Sequence, residues 1–209
     1  MRLLVTAGPT REPIDPVRFL SNGSSGQMGY AVAAAGIDAG HEVVLVTGPV
    51  ALDPPAAATT IRVTTALEML DACVRNFPDA DALVMTAAVC DFRPAAYSEG
   101  KIKKTDAGQI VLRLVANPDV LATLAAEKGR RVMVGFAVET DDALANAREK
   151  LSGKHCDALV LNHPLSIGAA KAEFTLLTAD GRAEPLGTIE KSALAERLIR
   201  LVEQLVQRE

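Results

Sequence analysis

The feature that most constrains this chain is a short, unbroken apolar run, Arg2–Ala7 (RLLVTA), stopped by Gly8-Pro9 and followed some 35 residues on by a second, Glu42–Thr47 (EVVLVT). Runs of this kind, apolar without alternation, suit strands covered on both faces, and parallel strands so covered need a long crossover between them. The Ala-rich stretch Ser25–Ala39 predicts that crossover as a helix, with its small residues at the start facing the carboxyl end of the first strand. The rhythm repeats. Thr60–Val63 reads as a weak strand, Ala66–Asn76 as a helix and Ala82–Thr86 as a strong strand. A helix over about Pro118–Lys128, a strand Val132–Phe136, a helix Asp141–Leu151 and a strand Ala158–Leu161 follow. Such alternation predicts an α/β fold, a Rossmann-like doubly wound and mostly parallel sheet.

Two stretches break the rhythm. Residues 87–116 hold a loop and then an alternating segment, Gln109–Val115, with no helix before it. Near the end, Phe174–Leu177 and Ala183–Leu186 flank Asp180-Gly181, a hairpin turn signal, which predicts a small antiparallel extension of the sheet. An amphipathic helix over Ser192–Gln207 closes the chain. With 209 residues and 49% hydrophobic content, one core is affordable, and residues 1–209 read as a single domain.

A formal net charge of −4 provides no global field for nucleic acid, so any phosphate chemistry must come from a local cluster. Three cysteines without short paired spacings fit a reduced compartment. No run approaches the roughly 20 apolar residues of a membrane span, and the start reads as a strand rather than a leader, so the expectation is a cytoplasmic protein.

Chemistry is expected at the carboxyl ends of the strands. The loop Gly8–Gly29 carries Ser24, Ser25, Gly26 and Gly29, small residues able to bring backbone N–H groups to an anion; taken alone they also read as a helix cap with flexible glycines. After the strand Ala82–Thr86 comes TAAVCDFRP, and then Lys101-Ile102-Lys103-Lys104, which could neutralise a triphosphate or form a solvated charge run. Asp91 could hold a nucleotide hydroxyl or Mg²⁺, or be merely solvated. Asn117-Pro118-Asp119 reads as a helix start, with Asn117 as cap and Pro118 at the first helical position. GFAVET (Gly135–Thr140) ends another strand, and Lys150 and Lys154 close the next helix, where they also complement its dipole.

The strings TAGPTREPIDPVRFLSNGSSGQMG, TAAVCDFRP, KIKK, ANPDVL, GFAVET and AREKLSGKHCD, in that order over most of the chain, closely resemble the phosphopantothenoylcysteine synthetase family. The resemblance implies an enzyme that joins 4′-phosphopantothenate to cysteine through an acyl cytidylate, with CTP as co-substrate, Mg²⁺ as cofactor and no flavin in this chain. It implies a homodimer, and a phosphopantothenoylcysteine decarboxylase flavoprotein as a further partner. Asn22 matches the family's active-site asparagine, and Lys101 opens its lysine motif over the triphosphate. Ala87, Ala88, Asp91, Asn117, Pro118, Asp119, Val120, Phe136, Lys150 and Lys154 fall on CTP-contact positions, with Asp91 also the metal candidate. Gly8, Ser24, Ser25, Gly26, Gly29 and Asn162 fall to phosphopantothenate. Three residues depart from the pattern: Gln27 where many relatives are basic, Cys90 where Ala is usual, and Asn162-His163 in place of Asn-Asp.

The rival reading is an NAD(P)-dependent short-chain reductase. Tyr97 and Lys101 have the Y-x-x-x-K spacing, but that pair must share a helix face, and Pro94 and Gly100 bracket a loop. No G-x-G-x-x-G follows the first strand.

Overall fold

The computed structural model describes residues 1–104 and 108–207. In chain order the strands are β1 (Arg2–Ala7), β2 (Arg11–Pro13), β3 (Phe19–Ser21), β4 (Glu42–Thr47), β5 (Thr59–Arg62) and β6 (Ala82–Met85). They continue as β7 (Phe92–Pro94), β8 (Leu114–Ala116), β9 (Val132–Val138), β10 (Ala158–Asn162), β11 (Lys171–Thr178) and β12 (Ala183–Glu190). The helices are α1 (Gln27–Asp38), α2 (Ala66–Asn76), α3 (Val120–Ala125), α4 (Ala143–Gly153) and α5 (Lys191–Val206).

One eight-stranded sheet runs in the order β12-β11-β10-β9-β6-β1-β4-β5. From β5 to β10 every pairing is parallel, and β11 and β12 add antiparallel at the β10 edge. Read in chain order, the parallel strands follow the 3-2-1-4-5-6 succession of a doubly wound dinucleotide-type sheet. The expected parallel sheet and antiparallel extension are both present.

Buried apolar residues divide into two layers. On one face Leu3, Val5, Leu45 and Val84 pack with Val32 and Ala33 of α1 and with Leu194, Leu198 and Val202 of α5. On the other, Leu4, Val44, Leu83 and Met133 meet Met69 and Cys73 of α2, Leu121 and Leu124 of α3, and Leu151 of α4. Alternate residues of β1 thus serve opposite layers, which is why Leu3, Leu4 and Val5 run apolar without alternation.

Several boundaries differ from expectation for local reasons. α1 starts at Gln27 rather than Ser25, because Gly26 precedes it in a left-handed conformation (φ 79°) that breaks the helical path. α3 starts at Val120, and its cap is Asp119, whose side chain accepts from the Ala122 N–H; Asn117 and Pro118 lie outside the helix. Only the end of the alternating segment Gln109–Val115 becomes strand: Leu114–Ala116 pairs antiparallel with Phe92–Pro94. That hairpin and the Arg11–Pro13/Phe19–Ser21 hairpin have strands of three residues, too short to leave a periodic signal.

Gly29 sits where α1 crosses β1 and β6. A Cβ there would lie 2.5 Å from Ala7 Cβ, 2.6 Å from Thr86 Oγ1 and 2.9 Å from the Thr6 carbonyl oxygen. All three are fixed atoms, so Gly29→Ala is expected to lose roughly 1–3 kcal/mol through overpacking, against a helix-propensity gain of about 1 kcal/mol. A calorimetric melt at or above the wild-type midpoint would contradict this packing argument.

Candidate active site

At β1 the strand order reverses, since β4 lies on one side and β6 on the other, and loops leaving their carboxyl ends diverge to open a crevice. A cleft of about 480 Å³ lies there. Its walls are the Asn22–Gly29 loop and helix start, the Thr86–Val89 segment with Asp91 after β6, Phe136 and Val138 of β9, and Asn162 of β10. Ser166 to Gly168, Phe174 of β11 and Lys191 of α5 complete it.

The loop is tied down from both ends. The Thr10 N–H donates to the Ala88 carbonyl at 3.2 Å, and Ala88 N–H donates to the Gly8 carbonyl at 2.9 Å. Asn22 Nδ2 donates to both the Ala88 and Val89 carbonyls at 3.1 Å, so both amide protons face strand-end backbone and Oδ1 is left as the free end. Ser24 Oγ accepts from the Gly26 N–H at 3.3 Å. α1 has no capping side chain and no acid in its first turn, whereas α2 carries a complete capping box of Thr65 and Glu68. The α1 start therefore presents backbone donors without an internal acceptor supplied by a side chain, an arrangement suited to an anion.

Of the residues singled out in the sequence, the cleft brings together Asn22, Ser24, Ser25, Gly26, Gly29, Ala87, Ala88, Asp91, Phe136 and Asn162. Gly8 does not line it. It sits behind Gly26, also at positive φ (73°), and both glycines press on the same Val50 methyl, where an added Cβ would come within 2.9 and 2.8 Å. Asn162 Nδ2 donates to Ser166 Oγ at 2.6 Å, while its buried Oδ1 has no partner among the described residues.

Asn117, Pro118, Asp119, Val120, Lys101, Lys150 and Lys154 do not line the cleft either. Asn117 is a strut: Nδ2 donates to the Cys90 carbonyl at 2.8 Å, Oδ1 accepts from Arg93 at 2.9 Å, and its N–H donates to the Asp91 carbonyl at 2.8 Å. It fixes the backbone on both sides of Asp91. Lys154 pairs with Asp119 at 2.7 Å, and Lys150 with Glu139 at 2.5 Å. Partial burial would raise the Asp119 carboxyl, but the Lys154 ammonium and the Ala122 N–H outweigh it and hold it below its ordinary value.

Lys101, Lys103 and Lys104 are exposed, and among the described residues none has an ion-pair partner. Their backbone is held at Ile102, whose N–H donates to Asp15 Oδ2 at 3.1 Å and whose carbonyl accepts from Arg18 Nη2 at 2.7 Å. Asp15 is buried, accepts from the Val17 and Arg18 N–H groups, and pairs with the Arg18 guanidinium, which holds its carboxyl far below the usual range. The β2–β3 arm thus clasps the lysine segment at its middle residue.

Sequence reasoning missed Thr86, Gln27, Ser166, Phe174 and, above all, Lys191 as cleft residues. Gln27 and Thr86 lay inside motifs that had drawn notice, whereas Ser166, Phe174 and Lys191 did not. Tyr97 and Lys101 lie on no helix, so the reductase pair is not formed. The three cysteines are buried free thiols, and burial pushes Cys73 up to about 12 and Cys156 up to about 11, which leaves them poor nucleophiles and poor metal ligands. No cluster of His, Cys, Asp and Glu among the described residues could hold a metal alone.

Fold and cleft together define a doubly wound α/β protein with an anion-suited crevice at its topological switch point. The chain belongs to the family of the DNA/pantothenate metabolism flavoprotein C-terminal domain, whose profile matches residues 1–206. It is 41% identical over 211 residues to the Coenzyme A biosynthesis bifunctional protein CoaBC of Vibrio vulnificus strain YJ016, covering 98% of this chain and 52% of that protein. It is 43% identical over 215 residues to the protein of the same description from Mycobacterium tuberculosis strain H37Rv, covering 95% and 51%. The chain therefore spans about half the length of these curated relatives. Among solved structures it superposes on the C-terminal domain of a bifunctional CoaBC protein with a TM-score of 0.87 and 36% identity, covering 100% of this chain and 96% of that one.

Proposed function

We propose that residues 1–209 form a single synthetase domain that joins 4′-phosphopantothenate to L-cysteine, using CTP. The observation that carries this reading is the cleft itself, where the Asn22–Gly29 loop and the Thr86–Asp91 segment face each other within a domain matched along its length to CoaBC proteins.

A carboxylate is a poor electrophile at neutral pH. One of its oxygens attacks the α-phosphate of CTP, the bond to the β-phosphate breaks, and pyrophosphate leaves with the negative charge. The cysteine amine then attacks the acyl carbonyl, the bond to the cytidylate oxygen breaks, CMP leaves, and the amine proton passes to solvent. Charge grows first on the departing pyrophosphate, so free cations near it supply the largest catalytic term. Lys101 and its neighbours are such cations. Ala87 and Ala88, lacking bulk, leave room for the nucleotide against the β6 end. Asn117 to Val120, Lys150 and Lys154 form an adjoining surface whose ion pairs a nucleotide could exchange for contacts of its own. Asp91 is exposed on the cleft wall, and a lone carboxylate fits Mg²⁺ in the way that ion usually binds, by one or two carboxylates plus substrate phosphates. The ion would supply charge neutralisation of the triphosphate.

The relatives are bifunctional, which supports a decarboxylase as a partner activity. Homodimerisation is supported by apolar side chains left open on the two small hairpins and the turn between β2 and β3: Val17 is 59% exposed, Phe19 47% and Phe92 54%. Three buried thiols suit a reducing cytoplasm, and no helix among the described residues is long and apolar enough to cross a membrane.

Phosphopantothenate plus CTP is expected to release pyrophosphate in a single turnover with cysteine absent, and the same assay with ATP reports the nucleotide preference. If no pyrophosphate appears until cysteine is added, activation and ligation are not separate steps and the acyl-cytidylate route fails.

A further inference from the structure

Lys191, the first residue of α5, reaches into the cleft from a part of the chain distant in sequence from every motif described above. Its Nζ donates to Gln27 Oε1 and to the Ser166 carbonyl, each at 3.2 Å. Both acceptors are neutral. Among the described residues Lys191 has no carboxylate partner, whereas Lys128, Lys150, Lys154 and Lys171 are each paired with one. The adjacent Glu190 is turned to Lys171 at 3.0 Å and does not serve. Lys191 is half-buried, and burial lowers its pKa, the expected response of an ammonium removed from water without a counter-charge.

An ammonium has three donors, and two are spent. What the remaining donor and the uncompensated charge face is the cleft and the start of α1, since Gln27 is the first residue of that helix and Ser24 to Gly26 line the same wall. A single group would complete Lys191 and the backbone donors of α1 together: a compact dianion.

We propose that Lys191 is the residue that selects the phosphorylated form of the pantothenate substrate. It forms an ion pair with the phosphate seated on Ser24, Ser25 and Gly26, while Gln27 Oε1 and the Ser166 carbonyl aim its ammonium. This rests on the synthetase reading above. Lys191 takes no part in nucleotide activation, so its removal changes discrimination between phosphopantothenate and pantothenate rather than the use of CTP.

The test is calorimetric binding of phosphopantothenate and of pantothenate to wild-type protein, Lys191→Met and Lys191→Arg, with steady-state kinetics beside it. Met keeps the apolar stem, and if its melting transition is lost, Lys191→Gln replaces it. A charge-assisted contact of this kind predicts roughly 10- to 100-fold weaker phosphopantothenate binding in the Met variant. Binding of pantothenate and the KM for CTP should be unchanged, and Arg should recover most of the affinity. Equal losses on both pantothenate forms, or no loss in a folded variant, would overturn the proposal, as would failure of the wild-type protein to prefer the phosphorylated form. A wild-type protein that binds phosphopantothenate with this preference but forms no product with CTP and cysteine would instead refute the synthetase reading and leave the Lys191 assignment standing.

Discussion

Lys101→Gln is expected to slow acyl-cytidylate formation roughly 30- to 1000-fold, the cost of losing one charged contact to a developing anion, about 2 to 4 kcal/mol. Among the described residues Lys101 has no ion-pair partner and is exposed, so nothing in the fold depends on it and the melting temperature should not move. Its neighbour explains why an exposed lysine can still act with direction. The Ile102 backbone is held by Asp15 and Arg18 on both its N–H and its carbonyl, which limits where the preceding side chain can reach. Holding a charge in place before the reaction is what makes it worth more than the same charge free in solvent. Single-turnover rates equal to wild type at saturating CTP and Mg²⁺ would assign the Lys101–Lys104 run to a solvated surface.

Asn22→Asp is expected to separate the two half-reactions. In the structure both Asn22 amide protons are given to the Ala88 and Val89 carbonyls, which leaves Oδ1 as the group able to accept from an incoming amine. An aspartate has no protons to give those carbonyls. Two carbonyl oxygens would face a carboxylate, the side chain would turn away, and a negative charge would stand beside an anionic intermediate. Pyrophosphate release from CTP and phosphopantothenate should persist, while transfer to cysteine falls on the order of 100- to 1000-fold, as for loss of one positioned hydrogen-bonding group. The acyl cytidylate should accumulate and be seen by mass spectrometry after a rapid acid quench. A folded variant that binds CTP and releases no pyrophosphate would move Asn22 to the first step.

Much of the fold could be read from the chain because its signals are local. β1, β4, β6 and β10 are apolar runs bounded by Gly, Pro or polar residues, and the amphipathic helices α2 and α5 carry their own periodicity. The hairpin at Asp180-Gly181 was equally visible, since Gly181 takes the positive φ (91°) that such a turn requires. The three-residue strands of the small hairpins were not, because two alternations are too few to distinguish from chance. The helix after Asn117 shows a different failure. Asn and Asp are both good caps, and the choice of Asp119 over Asn117 was made by Cys90, Arg93 and Asp91, which claim the asparagine.

The site divides along the same line. The order of apolar runs and crossovers by itself determined that ligands would gather at the carboxyl ends of a parallel sheet, and so pointed to Ser24, Gly26 and Asp91 before any coordinates, while Asn22, Ala87 and Ala88 were pointed to by the resemblance to the synthetase family. Only the tertiary structure decided which cations belong where. It paired Lys150 with Glu139 and Lys154 with Asp119, left Lys101 without an ion-pair partner among the described residues, and brought Lys191 to Gln27 across 164 residues of chain. Strand and helix signals repeat over a few residues and are written in neighbours, whereas the partner of a charge depends on which distant backbones the packed sheet and helices set within 3 Å or so, a distance that no local pattern encodes.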